Sequence, residues 1–248
     1  MSKAIVVTGG ARGIGAAAVR LSARRGWSVI FSYRNDDAAA EKTTAEAEAG
    51  GGKAIAVKSD SSREDEVIAL FDQAIEAFGP IDGVVNNAGI LSPMSPIADM
   101  TADRMRHIFD VNILGSYFTA REAARRMSTS RGGRGGSIVN LSSAAAKLGA
   151  PNQHVDYAGS KGAMESMTIG LCKELGPEGI RVNAIRPGLI LTDMHASGGD
   201  PGRAERLAAN VPMQRPGTAD EVGEAIVWLL SDSASYVSGA ILDVTGGR

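Results

Sequence analysis

Tyr157 and Lys161 stand four residues apart, and Ser143 lies upstream of both. In a helix, residues at that spacing share one face a turn apart, so a phenol and an ammonium would sit side by side. A phenol alone is a poor acid near neutrality, with a pKa of ~10. A cation roughly 4 Å away, at an effective dielectric of about 20, favours the phenolate by about 4 kcal/mol. At about 1.4 kcal/mol per unit that depresses the pKa by up to roughly three units, from which burial of the two groups subtracts. Such a pair passes protons near pH 7. The same spacing also describes a half-buried ring beside a snorkelling amine, so the pair takes its meaning from the elements around it.

Those elements begin with Ala4-Ile-Val-Val-Thr8, a β-rich run that stops at Gly9-Gly10 and reads as a strand buried on both faces. Helical pattern over about 13–25, strand over 28–33, helix over 37–50 and strand over 53–59 follow. This alternation implies a parallel sheet with right-handed crossovers. Ser61-Ser-Arg-Glu64 has capping-box form ahead of a helix that ends at Gly79-Pro80. Strand pattern over 81–86, one long helix over 101–127, strand over 137–141 and a helix over 153–175 carrying Tyr157 and Lys161 come next. The chain closes with strand over 181–186, a helix capped by Thr218-Ala-Asp-Glu221, and a seventh strand over 240–244. The expected fold is α/β: a single doubly wound Rossmann-type domain over residues 1–248, its seven-stranded parallel sheet flanked by helices. Residues 188–216, rich in Gly, Pro and polar types, form a connection whose length implies a lid over a site.

Thr8-Gly-Gly-Ala-Arg-Gly-Ile-Gly15 falls between the first strand and first helix, where a doubly wound sheet binds dinucleotides. Gly9, Gly13 and Gly15 let the backbone approach a pyrophosphate, and the helix N-terminus offers unpaired N–H groups. The tip of the second strand normally carries an acid for the adenosine ribose of NAD. Here it reads Ser32-Tyr-Arg34, with no acid before Asp36. Arg12 and Arg34 together would clasp a 2′-phosphate, which predicts NADP(H) in preference to NAD(H). Two solvated arginines are the plainer alternative.

Hydrophobic residues make up 44% of the chain and charged residues 22%, an ordinary globular composition. A net charge of −2 argues against nucleic acid or an anionic membrane as main partner. No apolar run reaches membrane-spanning length. A strand pattern from Ala4 leaves no room for a signal sequence, so the cytoplasm is the expected compartment. The single cysteine, Cys172, reads as a small buried hydrophobe. His107, His154 and His195 show no ligand spacing, so no metal site is expected.

Taken together these motifs resemble the short-chain dehydrogenases/reductases along essentially the whole chain. The resemblance rests on the glycine loop, Asp60, Asn86-Asn-Ala-Gly89, Asn112, Ser143 with Tyr157-x-x-x-Lys161, Pro187-Gly188, Thr192-Asp193 and the closing Ser238-to-Gly247 run. It implies that Asp60 and Ser61 meet the adenine, and that Asn87, Ala88 and Gly89 line the cofactor cleft beside Gly9, Arg12, Gly13, Ile14, Gly15 and Arg34. Ser143 would hydrogen-bond the substrate oxygen, and Tyr157 would exchange its proton. Lys161 would lower the Tyr157 pKa and hold the nicotinamide ribose, while Asn112 would anchor a relay water. Ile190 and Thr192, beyond Pro187 and Gly188, would contact the carboxamide. Ser142, the neighbour of Ser143, is the local alternative. The serine precedes the tyrosine by one residue more than in many relatives, and the loop around Gly149-Ala-Pro151 would absorb it.

The lid run from Thr192 to Gly202 looks like bacterial sugar- or glucose-dehydrogenase-like members, which implies a small carbonyl or alcohol substrate of sugar or small-ketone type. His195 lies in that lid, either against substrate or as a surface residue. A 3-oxoacyl-[acyl-carrier-protein] reductase is the alternative, with Arg125, Arg126, Arg131 and Arg134 as a basic rim for an acidic carrier. A non-catalytic NADP-binding regulator is a third reading, disfavoured by the complete set Asn112, Ser143, Tyr157 and Lys161. Family members are commonly homotetramers, and the small-residue face of Ala158, Gly159, Gly162 and Ala163 permits the helix approach this needs.

Overall fold

The computed structural model describes residues 2–248. Seven strands form one parallel sheet in the order β3-β2-β1-β4-β5-β6-β7. They are β1 (Ala4–Val7), β2 (Ser28–Tyr33), β3 (Lys53–Lys58), β4 (Gly83–Asn86), β5 (Gly136–Leu141), β6 (Ile180–Pro187) and β7 (Ile241–Val244). Sequence order reverses between β1 and β4, so the crevice of this doubly wound sheet opens at their C-terminal ends.

The strands are apolar throughout because alternate side chains enter two different cores. Ile5, Val7, Val29, Phe31 and Val85 face one core, which α1 (Gly13–Arg24), α2 (Asp37–Ala49) and α10 (Ala219–Leu230) cover. Val6, Ile30, Val84, Ile138 and Val182 face the other, under α3 (Glu64–Phe78), α5 (Gly115–Met127) and α7 (Val155–Leu175). The capping box at Thr218 forms as read, with Glu221 closing back on the Thr218 backbone.

Two boundaries differ from the sequence reading. The capping box expected at Ser61-Ser-Arg-Glu64 is absent: α3 starts at Glu64 with Arg63 as an uncapped N-cap. Asp60 displaces it, accepting hydrogen bonds from Ser62 N at 2.9 Å and Ser62 Oγ at 2.7 Å. The long helix of 101–127 is likewise broken into α4 (Ala102–Phe109), a π-helical turn over Asp110–Leu114, and α5. The cause is Asn112, whose side chain leaves the helix to bond the backbone of Ile90 in both directions. Among the described residues, no helix is long and apolar enough to cross a membrane.

The connection after β6 is mostly irregular, with short helices α8 (Met194–Ser197) and α9 (Arg203–Arg206) following α6 (Ala145–Leu148) in chain order. The side chain of His195 lies outside the described residues.

Candidate active site

A cleft of about 530 Å³ lies at the switch point. Gly9, Arg12, Gly13 and Ile14 line one end of it, with Arg34, Asp60 and Ser61 beside them and Asn87, Ala88 and Gly89 opposite. Gly15 stands behind: a Cβ there would meet Gly9 O at 2.2 Å, so only glycine lets the helix pack on the loop. Gly9 and Gly13 hold φ of 66° and 54°, the left-handed region that glycine enters freely. The start of α1 carries no acidic side chain and no side-chain cap, which leaves its N–H groups and positive dipole end to an anion.

Asn87 fastens this crevice. Its Nδ2 donates to Thr8 O at 2.9 Å and Gly9 O at 3.0 Å, while Thr8 Oγ1 accepts from the backbone N–H groups of Asn87 and Ala88 at 3.0 Å. Beneath it, Asn86 donates to Asn140 Oδ1 at 3.2 Å and Asn140 donates to Thr168 Oγ1 at 2.9 Å. This buried amide chain ties β4 to β5 and β5 to α7. Sequence reading passed over Thr8, Asn140 and Thr168, because polar residues inside apolar runs signal their role only through their partners.

Both arginines of the expected clasp are engaged by acids. Arg12 Nη1 lies 3.4 Å from Asp36 Oδ2, and Asp36 also caps α2 by accepting from Ala39 N at 3.0 Å. Arg34 Nε lies 3.0 Å from Asp60 Oδ2. Burial pushes the Asp60 carboxyl up, but the Ser62 hydrogen bonds and the Arg34 charge outweigh it and hold the group below its ordinary range. Two half-exposed guanidiniums therefore flank the cleft with two carboxylates between them.

Next to the cleft, where a Cβ on Gly89 would meet Lys161 Nζ at 3.3 Å, the two adjacent serines separate. Ser142 Oγ turns away to donate to Glu165 Oε1 at 2.7 Å and to the Lys161 carbonyl at 3.2 Å. Ser143 faces the other way and hydrogen-bonds the Tyr157 phenol. The geometry thus selects Ser143 as the serine beside the phenol. The extra residue between them is taken up where Ala150 and Asn152 adopt φ of 46° and 60°, beside the left-handed Gly149.

Lys161 is buried, with Nζ donating to Leu141 O at 2.7 Å and standing 5.6 Å from the Tyr157 ring centre. Burial pushes the Lys161 ammonium down to about 8. The phenol moves opposite to the sequence expectation: burial raises the Tyr157 pKa, and the Ser143 hydrogen bond only partly offsets it. Desolvation of the phenolate dominates, and the nearby cation has turned to a backbone carbonyl. Asn112 sits close by, since a Cβ on Gly89 would meet Lys161 Nζ at 3.3 Å and Asn112 Oδ1 at 3.4 Å.

Of the residues expected around the carboxamide, Thr192 lines the cleft. The Ile190 side chain is buried in the core under α1 and α10, and Pro187 is buried at the end of β6. Gly188 is pressed against Thr245, where a Cβ would approach within 2.8 Å of its Cα. Cys172 is half-buried rather than buried, at the rim of the second core. The basic rim does not form at the cleft. Arg125 and Arg126 pair with Glu122, Arg126 also with Asp72, and Arg134 with Asp82. Arg131 and Arg134 moreover lie in the connection that enters β5, at the N-terminal end of the strands and opposite the crevice.

One ion pair beside the phenol was not foreseen. Arg104 of α4 grips Asp156, with Nε at 2.8 Å from Oδ2 and Nη2 at 3.3 Å from Oδ1. Burial works against the Asp156 carboxylate, but Arg104 and the Tyr157 N–H hold it below its ordinary range. An arginine fifty-two positions upstream gives no sequence signal for this contact.

The family model described as Enoyl-(Acyl carrier protein) reductase matches residues 9–248. The Escherichia coli K12 protein "Uncharacterized oxidoreductase YgfF" is 47% identical over 243 residues, 98% of each chain. The L-rhamnose 1-dehydrogenase (NAD(P)(+)) of Azotobacter vinelandii is 41% identical over 251 residues, 100% of this chain and 96% of its own. Among solved structures, a mutant Serratia marcescens short-chain dehydrogenase/reductase matches with a TM-score of 0.90 at 32% identity, covering 99% of this chain and 97% of that one.

Proposed function

The chain belongs to the short-chain dehydrogenase/reductase family, and we propose that it is an NADP(H)-dependent oxidoreductase interconverting a carbonyl and a secondary alcohol of sugar or small-ketone type. The observation that carries this reading is the Ser143–Tyr157 hydrogen bond with the Lys161 ammonium 5.6 Å from the ring, in a sheet whose switch-point cleft opens beside them.

The residues present fit a dinucleotide. The uncapped N-terminus of α1 and the left-handed Gly9 and Gly13 suit a pyrophosphate, and Asp60 and Ser61 line the same cleft, where they would meet the adenine. Bound there, the cofactor supplies or accepts the hydride. Ser143 and Tyr157 polarise the substrate oxygen, and Tyr157 gives or takes the proton at its Oη. Lys161 holds the nicotinamide ribose hydroxyls and keeps a positive charge beside the phenol. Asn112 Oδ1, bordering the same space as Lys161 Nζ, anchors the water through which the lysine reaches solvent. Arg12 and Arg34 take the 2′-phosphate, each exchanging an acid partner for the phosphate.

We place the enzyme in the cytoplasm as a homotetramer. The face of α7 is open at Gly159 and Gly162, where a Cβ would meet nothing within 4 Å, and Val155, Ile169, Leu114 and Tyr117 are exposed on α7 and around the start of α5. Sedimentation of a monomer would overturn the assembly.

Initial rates with NADPH and NADH over a panel of ketones, diketones, sugars and polyols test the function. Faster turnover with NADH overturns the cofactor assignment. Tyr157→Phe should lose nearly all turnover while binding NADPH within about threefold of wild type, because the ring stays and only the transferable proton goes. Near-normal turnover in that variant overturns the chemistry.

A further inference from the structure

On the lid side of the site, one guanidinium shares its carboxylate, at the limit of ion-pair range, with a second arginine. Arg203, at the start of α9, reaches back so that Nη2 donates to Gln153 Oε1 at 2.7 Å and Nη1 lies 3.9 Å from Met94 Sδ. Gln153 stands four residues before Tyr157, and Met94 lies in the segment that follows Gly89. Arg203 therefore bridges the two loops flanking the phenol. Its side chain is only 17% exposed.

Both of those contacts are neutral. Among the described residues the carboxylate in ion-pair range of Arg203 is Asp200, at 4.0 Å, and Asp200 is already held more closely by Arg206. Burial lowers the Arg203 pKa; Asp200 opposes that, and the charges of Arg248 and Arg206 add to it. Arg104 makes the contrast, since its fork is fully matched by Asp156. In the field of both arginines sits His154, 5% exposed, with Nδ1 lacking a hydrogen-bond partner among the described residues.

A desolvated guanidinium braced by neutral groups is costly as scaffold, whereas its planar fork takes a carboxylate through two parallel N–H···O bonds. We propose that Arg203 is the anchor for a carboxylate on the substrate, with the unpartnered His154 Nδ1 as an acceptor for a neighbouring hydroxyl. The natural substrate is then an oxo or hydroxy acid, a member of the sugar or small-ketone class that carries a carboxylate. This rests on the oxidoreductase reading above and names its substrate class.

The test has a binding arm that needs no turnover. Full-length protein saturated with NADPH is titrated calorimetrically with benzoate, benzamide and inorganic phosphate. Benzoate should bind at least about tenfold tighter than benzamide, and Arg203→Gln should abolish that selectivity while Arg203→Lys keeps part of it. Equal binding of benzoate and benzamide by the wild type overturns the proposal, as does unchanged benzoate affinity in Arg203→Gln. Phosphate binding tighter than benzoate overturns the carboxylate assignment. Because the wild-type comparison stands alone, a misfolded variant does not remove the test. In the kinetic arm, short oxo acids are compared with their methyl esters, and the acid should win at least about tenfold in kcat/KM. Equal rates for acid and ester overturn the anchor. If neither turns over, the oxidoreductase reading fails while the titration still decides on Arg203.

Discussion

Replacing Asn112 with leucine keeps the side-chain volume and removes three hydrogen bonds. Nδ2 donates to Ile90 O and to Ser160 Oγ, each at 3.0 Å, and Oδ1 accepts from Ile90 N at 2.8 Å. Asn112 is fully buried. Ser160 keeps a partner, since its hydroxyl donates to Tyr157 O at 2.7 Å, so the groups left orphaned are the N–H and C=O of Ile90. A buried polar group without a partner costs about 1–3 kcal/mol. With both Ile90 groups only partly buried, the low half of that range applies to each, and loss of the Ser160 bond brings the sum to about 2–5 kcal/mol. A domain of this size melts about 2–4 °C lower per kcal/mol, which predicts a fall of roughly 5–15 °C.

Thermal denaturation followed by circular dichroism measures the fall. Turnover should drop as well, since the Ile90 backbone carries the wall that continues from Gly89 past Lys161. A leucine variant that melts within about 2 °C of wild type would refute the reasoning: the π-helical turn at Asp110–Leu114 would then owe nothing to the bond between Asn112 and Ile90.

The two serines should part company on substitution. Ser143→Ala is expected to cut kcat about 10²- to 10³-fold with little change in melting, whereas Ser142→Ala removes bonds to Glu165 and Lys161 and costs about 1 kcal/mol of stability with a smaller kinetic effect. Equal kinetic losses measured for the pair would count against the assignment. Burial, then the charges of Arg203 and Arg104, lower the His154 pKa, so between that value and about 6.5 the folded protein binds fewer protons than the unfolded chain. Its stability should therefore fall with acidification below about pH 6.5, by at most about 1.4 kcal/mol per pH unit from this group, and His154→Gln should flatten that limb in urea titrations. Parallel acid limbs for variant and wild type would exclude His154 as the cause. With the phenol pushed above its ordinary value, alcohol oxidation should accelerate from pH 7 toward pH 10, while carbonyl reduction stays level until Lys161 discharges near about 8. An oxidation rate already on plateau at neutral pH would contradict that direction.

The sheet was legible because its strands are short apolar runs set between glycines, and a strand buried on both faces needs little more than that. The π-helical turn was not, because it depends on a bond from Asn112 to Ile90 across the crevice, and the local pattern of 101–127 is helical without interruption. Adjacent serines at the end of β5 point to opposite sides, so spacing left Ser142 as an alternative to Ser143 until Glu165 claimed it. The arginine rim shows a different limit. Arg121, Arg125 and Arg126 converge on Glu122, whose side chain is 2% exposed, and a count of charges along the chain hides that neutralisation. His107 on the cleft wall and the Arg104–Asp156 pair were missed for the same reason: their chemistry lies in tertiary neighbours.

The direction of the Tyr157 shift follows from which charge the protein can keep. Spacing alone implies that the cation wins, because an ammonium one helical turn away always favours a phenolate. Lys161 Nζ stands 5.6 Å from the ring centre, and its charge already has the Leu141 carbonyl to solvate it. Burial of the phenolate raises the Tyr157 pKa, so the proton stays on Tyr157. Lys161 at about 8 remains mostly charged at pH 7. The ligand-free site is therefore an acid with a cation beside it, which is the protonation state that carbonyl reduction consumes and alcohol oxidation must first undo. A substrate oxygen that accepts from both Ser143 and Tyr157 meets that state without prior proton loss. On the proposed chemistry, carbonyl reduction is therefore the expected direction near neutrality.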